Sequence, residues 1–236
     1  MQHIYLVSDL GCTYLDDDGI HAKVMDNSYG FLDQLKKELV HPIRVVNVAS
    51  AAKEYHMNDL FSSLTKASFE MSGFSIARWD LIDDRFTKDV KTTIRQADLV
   101  FLAGGGIQSQ AELFAKIDLE NILADYQGMI IGLSAGAINA AYEVNYVSED
   151  IKDPYVYRFT GLGLTKLNIL PHFDYALSHA SILDKLVKAS MDASYVGLPD
   201  GSFVEIFNGK ERLVGIYYIL QNGQLKTVDV QEKKET

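Results

Sequence analysis

Residues 132–136, Gly-Leu-Ser-Ala-Gly, can hold a serine hydroxyl in a reactive position. They match the Gly-x-Ser-x-Gly elbow, a sharp turn between a buried strand and a helix that exposes the serine oxygen at the carboxyl end of a sheet. The apolar run Met129–Leu133 precedes the turn, and a helix-forming run follows it. The alternative is an ordinary strand-to-helix joint in which Ser134 caps the helix. We favour Ser134 as a nucleophile.

A second motif is the glycine run in Ala-Gly-Gly-Gly-Ile-Gln, residues 103–108, which also follows an apolar strand and precedes a helix. Its backbone N–H groups can point into a small concavity that binds a phosphate or a developing oxyanion. Beside a serine nucleophile, we expect the N–H of Ala135 and that of Gly105 or Gly106 to bind the oxyanion. The lysine of a Walker P-loop and the Gly-x-Gly-x-x-Gly spacing are both missing, so nucleotide binding is the minor alternative, beside a merely flexible loop.

A serine nucleophile needs a base, and His172 has the best position among the six histidines. It stands in Asn-Ile-Leu-Pro-His-Phe-Asp, directly after an apolar strand, where the catalytic residues of open sheets gather. His179 is predicted at a helix start, which favours a capping or solvated side chain. A purely structural role for His172 is the alternative interpretation, because a lone histidine is often structural.

The base in turn needs an orienting acid, for which Asp200 is the first candidate. It occurs in Val-Gly-Leu-Pro-Asp-Gly-Ser, again at a strand end, so the chain order is Ser134, His172, Asp200. Pro-Asp-Gly is also a turn signature that needs no catalytic role. Asp174 and Glu205 are rival candidates. No His-Glu-x-x-His motif or clustered ligand spacing suggests a metal, and we expect no cofactor.

The elements that would position these residues alternate between short apolar runs and amphipathic stretches, which predicts a mostly parallel sheet with helices on both faces. Strands are predicted at Ile4–Val7, Ile43–Ala49, Phe74–Leu81, Leu99–Ala103 and Met129–Leu133. Helices are predicted between them at Tyr29–Leu39, Asn58–Met71, Lys88–Gln96 and Ser109–Leu119.

The last third of the chain changes character. Residues 147–164 are predicted as a loop with a short hairpin, followed by a strand at Leu167–Leu170, a helix at Ala180–Ala189 and a strand at Tyr195–Leu198. Three further strands, at Phe203–Phe207, Leu213–Leu220 and Leu225–Val230, are joined by Asn-Gly turns, which predicts an antiparallel extension of the same sheet. We expect one domain over residues 1–230 and a frayed tail at 231–236.

Composition limits the partners and the compartment. The net charge of −10 is spread along the chain without basic runs, which disfavours a nucleic-acid or anionic-membrane partner. The lone cysteine, Cys12, allows no internal disulfide, fits a reducing compartment and is most simply a small buried hydrophobe. No basic n-region precedes the first apolar run, so we expect a first strand in place of a signal peptide and a cytoplasmic protein.

Four motifs, in order, carry a family resemblance: Ala-Gly-Gly-Gly, Ile-Ile-Gly-Leu-Ser-Ala-Gly-Ala-Ile-Asn-Ala-Ala, Leu-Pro-His-Phe-Asp and Gly-Leu-Pro-Asp-Gly-Ser-Phe-Val-Glu-Ile. Together they resemble the dipeptidase E (aspartyl dipeptidase) group of serine peptidases, peptidase family S51, to which cyanophycinases are related. The resemblance implies a three-layer α/β/α fold like the class I glutamine amidotransferase domain. It also implies a Ser-His-acid triad in which Ser134 is the nucleophile, His172 the base and Asp200 the acid.

The sequence departs from this family pattern at three places. Asp200 replaces the usual glutamate, and Ile107-Gln108 replaces the Asn-Thr that usually follows the glycine run. The aspartyl-specific members carry an arginine-bearing insert after the histidine motif, whereas no arginine lies between Arg158 and Arg212 here. A strict preference for an N-terminal aspartate is therefore not expected; Lys185 or Lys188 would have to supply the missing cation.

The resulting hypothesis is a serine peptidase that cleaves small peptides through an acyl-enzyme. One alternative is an esterase with the α/β-hydrolase fold, which shares the elbow but places the acid before the histidine in the chain. The other is a binding module that keeps the fold and has lost turnover. We expect a small peptide as substrate. The sequence is compatible with either a homodimer or a monomer.

Overall fold

A mixed sheet of 10 strands forms the centre of the molecule. The computed structural model describes residues 2–148, 150, 152, 153 and 155–230. In chain order the strands are β1 (His3–Val7), β2 (Thr13–Asp16), β3 (Gly19–Ala22), β4 (Ile43–Val48), β5 (Ile76–Ile82), β6 (Leu99–Leu102), β7 (Met129–Leu133), β8 (Glu143–Val147), β9 (Val156–Thr160), β10 (Asn168–Leu170), β11 (Tyr195–Gly197), β12 (Phe203–Phe207), β13 (Lys210–Gln221) and β14 (Gln224–Val230). The α-helices are α1 (Phe31–Glu38), α2 (Tyr55–Met71), α3 (Val90–Arg95), α4 (Ile107–Lys116), α5 (Leu119–Ala124), α6 (Ala135–Ile138), α7 (Phe173–Ser178) and α8 (Ala180–Ala189).

The strand order is β10-β11-β13-β12-β1-β7-β6-β4-β5, with β14 paired to β13. Strands β1, β7, β6, β4 and β5 pair in parallel, so their carboxyl ends meet at one edge. Strand β12 runs antiparallel to β1, and β13 antiparallel to β12. The predicted mostly parallel sheet with an antiparallel C-terminal extension is therefore confirmed.

Helices cover both faces of this sheet because the parallel strands are apolar on both sides. One face packs against α3, α4, α5 and α6, as in the contacts of Leu113 and Leu123 with strand residues such as Val100. The other face packs against α1 and α2, through residues such as Leu35 and Phe69. The layers form the three-layer α/β/α arrangement that was predicted.

Both C-terminal hairpins turn at Asn-Gly, as predicted. Asn208 and Gly209 have φ values of 53° and 70°, and Asn222 and Gly223 have 52° and 70°. Positive φ at both central residues is the type I′ geometry that two-residue hairpins favour. These turns fix the register in which β13 pairs with β12 and with β14.

The predicted elements are present with bounds that differ by up to three residues, and four further elements were not predicted. The helix predicted over Ser109–Leu119 ends at Lys116; Asp118, with φ of 56°, separates it from α5. Hairpin β2–β3 is mostly exposed and lacks the apolar alternation that marks a strand. Helix α7, which is six residues long, was not predicted from the sequence.

The hairpin predicted within residues 147–164 begins earlier than predicted: β9 lies in that range, but its partner β8 spans Glu143–Val147, and the pair lies outside the central sheet. None of the helices in the described ranges has both the length and the apolar character needed to cross a membrane. The prediction of a frayed tail at 231–236 falls outside the described residues. A single domain over 1–230 stays a prediction.

Candidate active site

Ser134 is the single residue that links strand β7 to helix α6, and it has φ of 48° and ψ of −105°. A non-glycine residue in this region costs about 1–3 kcal/mol and persists only where its surroundings enforce it. Here the flanking glycines permit the close approach that the turn requires. A Cβ on Gly132 would lie 2.9 Å from the carbonyl oxygen of Gly136, and one on Gly136 would lie 2.4 Å from that of Leu102. The elbow geometry predicted from the motif is present.

The glycine run connects β6 to α4 directly beside this elbow. Gly105 has φ of 134°, and a Cβ there would lie 2.5 Å from Ser50 Oγ. A Cβ on Gly104 would lie 3.4 Å from Ser134 Cβ, which measures how closely the two turns approach. Within the described residues, the N–H groups of Gly105, Gly106 and Ala135 donate no hydrogen bond. They are free to bind an anion.

His172 follows β10 and begins helix α7 in the left-handed conformation, with φ of 52°. Its Nε2 atom lies 3.1 Å from Ser134 Oγ, within hydrogen-bond distance. The structure therefore brings the predicted nucleophile and the predicted base together, although 37 residues separate them in the chain.

Asp200 follows β11 in the turn that leads to β12. Its Oδ1 atom lies 2.8 Å from His172 Nδ1, on the opposite side of the ring from Ser134. Burial opposes ionisation of this carboxyl group. The hydrogen bonds from His172 and Ser8 and the charge of His172 outweigh it, so the pKa of Asp200 is lower than usual. Asp200 is therefore ionised at neutral pH.

The two rival acids lie elsewhere. Glu205 contacts His3, Gln34 and Arg212 on β1, α1 and β13. Asp174 accepts a hydrogen bond of 3.3 Å from the backbone N–H of Asp200. Asp200 is therefore the candidate whose carboxylate lies beside the His172 ring.

Ser8 is a site residue that the sequence analysis missed. It is fully buried at the end of β1, and its hydroxyl donates a 2.8 Å hydrogen bond to Asp200 Oδ1. The same oxygen accepts a 2.7 Å hydrogen bond from the backbone N–H of His172. The signal was available, because Ser8 directly follows a buried strand whose neighbour in the sheet is β7.

Two cavities open beside Ser134, and both have Gly105 and His172 in their walls. The first, called the apolar cavity, has a volume of about 320 Å³. Its remaining walls are Ile107, Ile138, Tyr146, Val147, Leu170, Pro171, Phe173, Tyr175, Ala176, Ile182 and Leu186. The second, called the acceptor cavity, has a volume of about 260 Å³. Its remaining walls are Asp9, Cys12, Thr13, Asn47, Phe61, Thr65, Phe101, Ala103, Gly104 and Leu133.

Cys12 is buried, as predicted. Burial and the neighbouring Asp9 carboxylate raise the pKa of its thiol to about 11. The thiol is therefore neutral at physiological pH and is a poor nucleophile. In the described parts of the chain, no three His, Cys, Asp or Glu side chains are grouped as metal ligands.

Comparison with known proteins supplies the family. Peptidase family S51 matches residues 25–214. No protein among the curated ones matches this chain significantly. A peptidase from an acI-B1 Actinobacterium has a similar crystal structure, with a TM-score of 0.69 and 15% identity over 98% of this chain and 96% of that one. A protein named as a peptidase E from Listeria monocytogenes EGD-e has a TM-score of 0.55 and 13% identity, over 98% of this chain and 100% of that one.

At these identities the two structures show a shared fold, and they confirm the predicted fold class. The family match covers most of the 236 residues and includes the elbow, the glycine run and both of the later motifs. The resemblance predicted from those motifs is thereby confirmed. The chain belongs to peptidase family S51 and is a serine-type peptidase.

Proposed function

We propose that this peptidase hydrolyses short peptides through a triad of Ser134, His172 and Asp200. The observation that carries the proposal is the continuous row of polar contacts from Ser134 Oγ to His172 Nε2, and from His172 Nδ1 to Asp200 Oδ1, at 3.1 and 2.8 Å. A nucleophile, a base and an orienting acid in this order are the arrangement that activates a serine hydroxyl.

In the proposed reaction, Ser134 Oγ attacks the scissile carbonyl carbon while His172 Nε2 takes the hydroxyl proton. The C–N bond then breaks, and His172 returns this proton to the leaving amine. A water molecule, deprotonated in turn by His172, attacks the acyl carbon. The bond from this carbon to Ser134 Oγ then breaks, His172 returns the second proton to Ser134 Oγ, and the second product leaves. Asp200 accepts the Nδ1–H hydrogen bond throughout and stabilises the imidazolium that forms.

The oxyanion of each tetrahedral intermediate would bind to backbone N–H groups. We assign this role to Ala135 and to Gly105 or Gly106, whose N–H groups lie on the two turns that meet at Ser134. Each such donor is typically worth about 3 kcal/mol of barrier reduction. Ser134 itself donates its backbone N–H to Val7, which leaves these other groups for the substrate.

The apolar cavity indicates which side chain the enzyme accepts next to the scissile bond. Its volume and its aliphatic and aromatic walls fit a large uncharged side chain. Among the residues that the structure describes, none lining this cavity is an arginine or a lysine, and Lys185 instead donates to backbone carbonyls of residues 148, 150 and 153. We therefore propose a preference for apolar residues over aspartate at this position.

A fluorophosphonate probe tests the nucleophile. We expect it to label wild-type protein at Ser134, with the site mapped by mass spectrometry, and to leave Ser134→Ala unlabelled while circular dichroism shows both proteins folded. Folded wild-type protein that resists the probe would contradict the proposed triad.

A dipeptide library tests the substrate class. We expect kcat/KM for dipeptides with Phe or Leu in either position to exceed that for their Asp counterparts by at least about tenfold. Hydrolysis of esters without hydrolysis of any peptide would instead favour the esterase alternative.

A further inference from the structure

The acceptor cavity shares Gly105, Ser134 and His172 with the apolar cavity, but its other lining residues have a different chemical character. Its lining residues include Asp9, Asn47, Thr13 and Thr65, whose side chains carry oxygen atoms. Apart from His172, no basic side chain of the described part of the chain is among its lining residues. Such a cavity offers hydrogen-bond acceptors and one carboxylate to whatever binds in it.

Asn47 is the unusual residue of this cavity. It lies on the interior strand β4, where its neighbours Val46 and Val48 are apolar and buried. Only 2% of Asn47 is exposed, and its Oδ1 atom accepts no hydrogen bond from any described residue. Buried polar atoms nearly always have a partner in native proteins, so a donor from outside the chain accounts for this amide better than packing does.

Asp9 supplies the charge. It follows Ser8 at the end of β1, next to the strand that carries Ser134. One of its oxygens accepts a 2.8 Å hydrogen bond from the N–H of Leu10, which fixes the carboxylate at the cavity wall. Its negative charge adds to the effect of burial in raising the pKa of Cys12 in the same wall, and a carboxylate at this wall can pair with a bound cation.

We propose that the acceptor cavity binds an alkylammonium group of the peptide substrate, with Asp9 as counter-charge and Asn47 as hydrogen-bond acceptor. This inference rests on the proposed function, because the ligand is part of the peptide that Ser134 attacks. The alkyl stem of the group would pack against Phe61, Phe101 and Leu133, which are the apolar part of the wall.

The ammonium group can come from two sources, the free N-terminus or a lysine side chain. Asn47 is in register with Phe101 on β6 and, one strand further, with Ile131 on β7. Two strand spacings place Asn47 about 10 Å from β7, which suits a long side chain. Asp9 and Ser134 follow the neighbouring strands β1 and β7, which suits an α-amino group. The experiment separates the two sources.

The test compares kcat/KM of wild-type protein for matched peptides. Lys-Phe is compared with norleucine-Phe, Phe-Lys with Phe-norleucine, and each peptide with its N-acetylated form. We expect at least one of these exchanges to lower kcat/KM tenfold or more. An effect of norleucine assigns the cavity to a lysine side chain, and an effect of acetylation assigns it to the N-terminus. Ratios within twofold for every pair would overturn the inference.

Variants then locate the effect. Asp9→Asn and Asn47→Leu are each expected to reduce the wild-type preference for the charged peptide at least threefold, whereas Asn121→Leu, at an exposed position, keeps it. A preference that survives in both folded cavity variants would place the cation elsewhere and overturn the assignment. Fluorophosphonate labelling at Ser134 distinguishes the failures: labelled protein without charge preference contradicts only this inference, and unlabelled protein contradicts the proposed triad.

Discussion

Ser8 joins two of the proposed catalytic residues through one hydroxyl group. The oxygen accepts from the backbone N–H of His172 at 2.7 Å, and its proton is directed to Asp200 Oδ1 at 2.8 Å. His172 is in the left-handed conformation, which persists only where its surroundings enforce it. The hydrogen bond to its backbone N–H helps to hold this conformation, in which the ring lies beside Ser134. We therefore expect Ser8 to act as a positioning residue that sets the distance between the proposed base and the proposed acid.

Replacing Ser8 tests this role. Ser8→Ala removes one of the hydrogen bonds that lower the pKa of Asp200, and it frees the backbone of His172. We expect kcat to fall about tenfold with little change in KM, because a lost hydrogen bond to a charged group is worth about 1.5 kcal/mol. Steady-state kinetics measure this. Ser68→Ala removes an equally buried hydroxyl on α2 and should leave kcat unchanged. Equal kcat values for the two variants would count against the positioning role.

At the scale of elements, the elbow depends on the close approach of α6 to β6. The carbonyl oxygen and Cβ of Leu102 lie 2.4 and 2.8 Å from where a Cβ on Gly136 would be. Both are parts of a central strand, which cannot move aside as a flexible side chain could. The glycine is thus required by packing, in addition to any role in the turn.

Gly136→Ala is expected to destabilise the protein by about 1–3 kcal/mol, because the added methyl group overpacks this contact. It should also slow fluorophosphonate labelling of Ser134, since the displaced helix carries the N–H of Ala135. Urea unfolding and labelling kinetics measure the two effects. Gly209→Ala is the control: its Cβ would meet nothing within 4 Å, so it should lower stability without changing labelling. Normal labelling in Gly136→Ala would show that the elbow tolerates the shift.

Helix α8 holds hairpin β8–β9 through Lys185. Its ammonium group donates to the carbonyl oxygens of Ser148 and Asp150, at 2.6 and 3.0 Å, and to that of Asp153. Two residues of this hairpin, Tyr146 and Val147, belong to the wall of the apolar cavity. The lysine therefore supports the cavity from outside.

Lys185→Met keeps an apolar stem and removes all three hydrogen bonds. We expect a loss of about 1 kcal/mol in stability and a higher KM for dipeptides with bulky apolar residues, with a smaller effect on kcat, since the triad is not touched. Thermal unfolding and steady-state kinetics measure these changes. Lys188→Met, at an exposed position of the same helix, is the matched control. A KM equal to that of the control would contradict the supporting role.

Elements could be predicted from the sequence where burial imposes a pattern. The parallel strands are apolar because helices cover both of their faces, and the Asn-Gly turns demand a specific backbone. Hairpin β2–β3 and helix α7 could not be predicted in this way. The hairpin has no buried residue, and α7 buries only Phe173 and Ala176, so neither shows a clear apolar pattern.

At the scale of the whole molecule, the location of the candidate site could be predicted from the topology of the sheet. Parallel strands bring their carboxyl ends to one edge, so residues after β1, β6 and β7 meet there, and the C-terminal extension adds His172 and Asp200. The cavities could not be predicted. Their walls combine side chains from several elements, and the unpaired amide of Asn47 is visible only once its neighbours are in place.

The stability of the molecule also depends on pH through a buried carboxylate remote from Ser134. Asp83, 5% exposed, accepts hydrogen bonds from the Arg85 guanidinium, at 2.6 Å from Nη2, and from Asn58 at 3.2 Å. Asn58 also donates to the carbonyl oxygen of Ala51, which ties the loop after β4 to the loop after β5. Burial raises the pKa of Asp83, but the bonds from Arg85 and Asn58 more than reverse this, and the net pKa is low.

Asp83→Asn should therefore destabilise the protein by about 2 kcal/mol at pH 7, where the native carboxylate is charged and paired. Because the native pKa lies below the ordinary carboxyl value of about 4, this contribution is present above pH 4 and disappears as the pH falls through the native pKa. The difference between wild type and variant in urea unfolding should shrink from pH 7 to pH 3. Asp59→Asn removes the exposed partner of the same arginine and should have a smaller effect. A difference that stays constant with pH would mean that lost packing, and not lost charge, destabilises the variant.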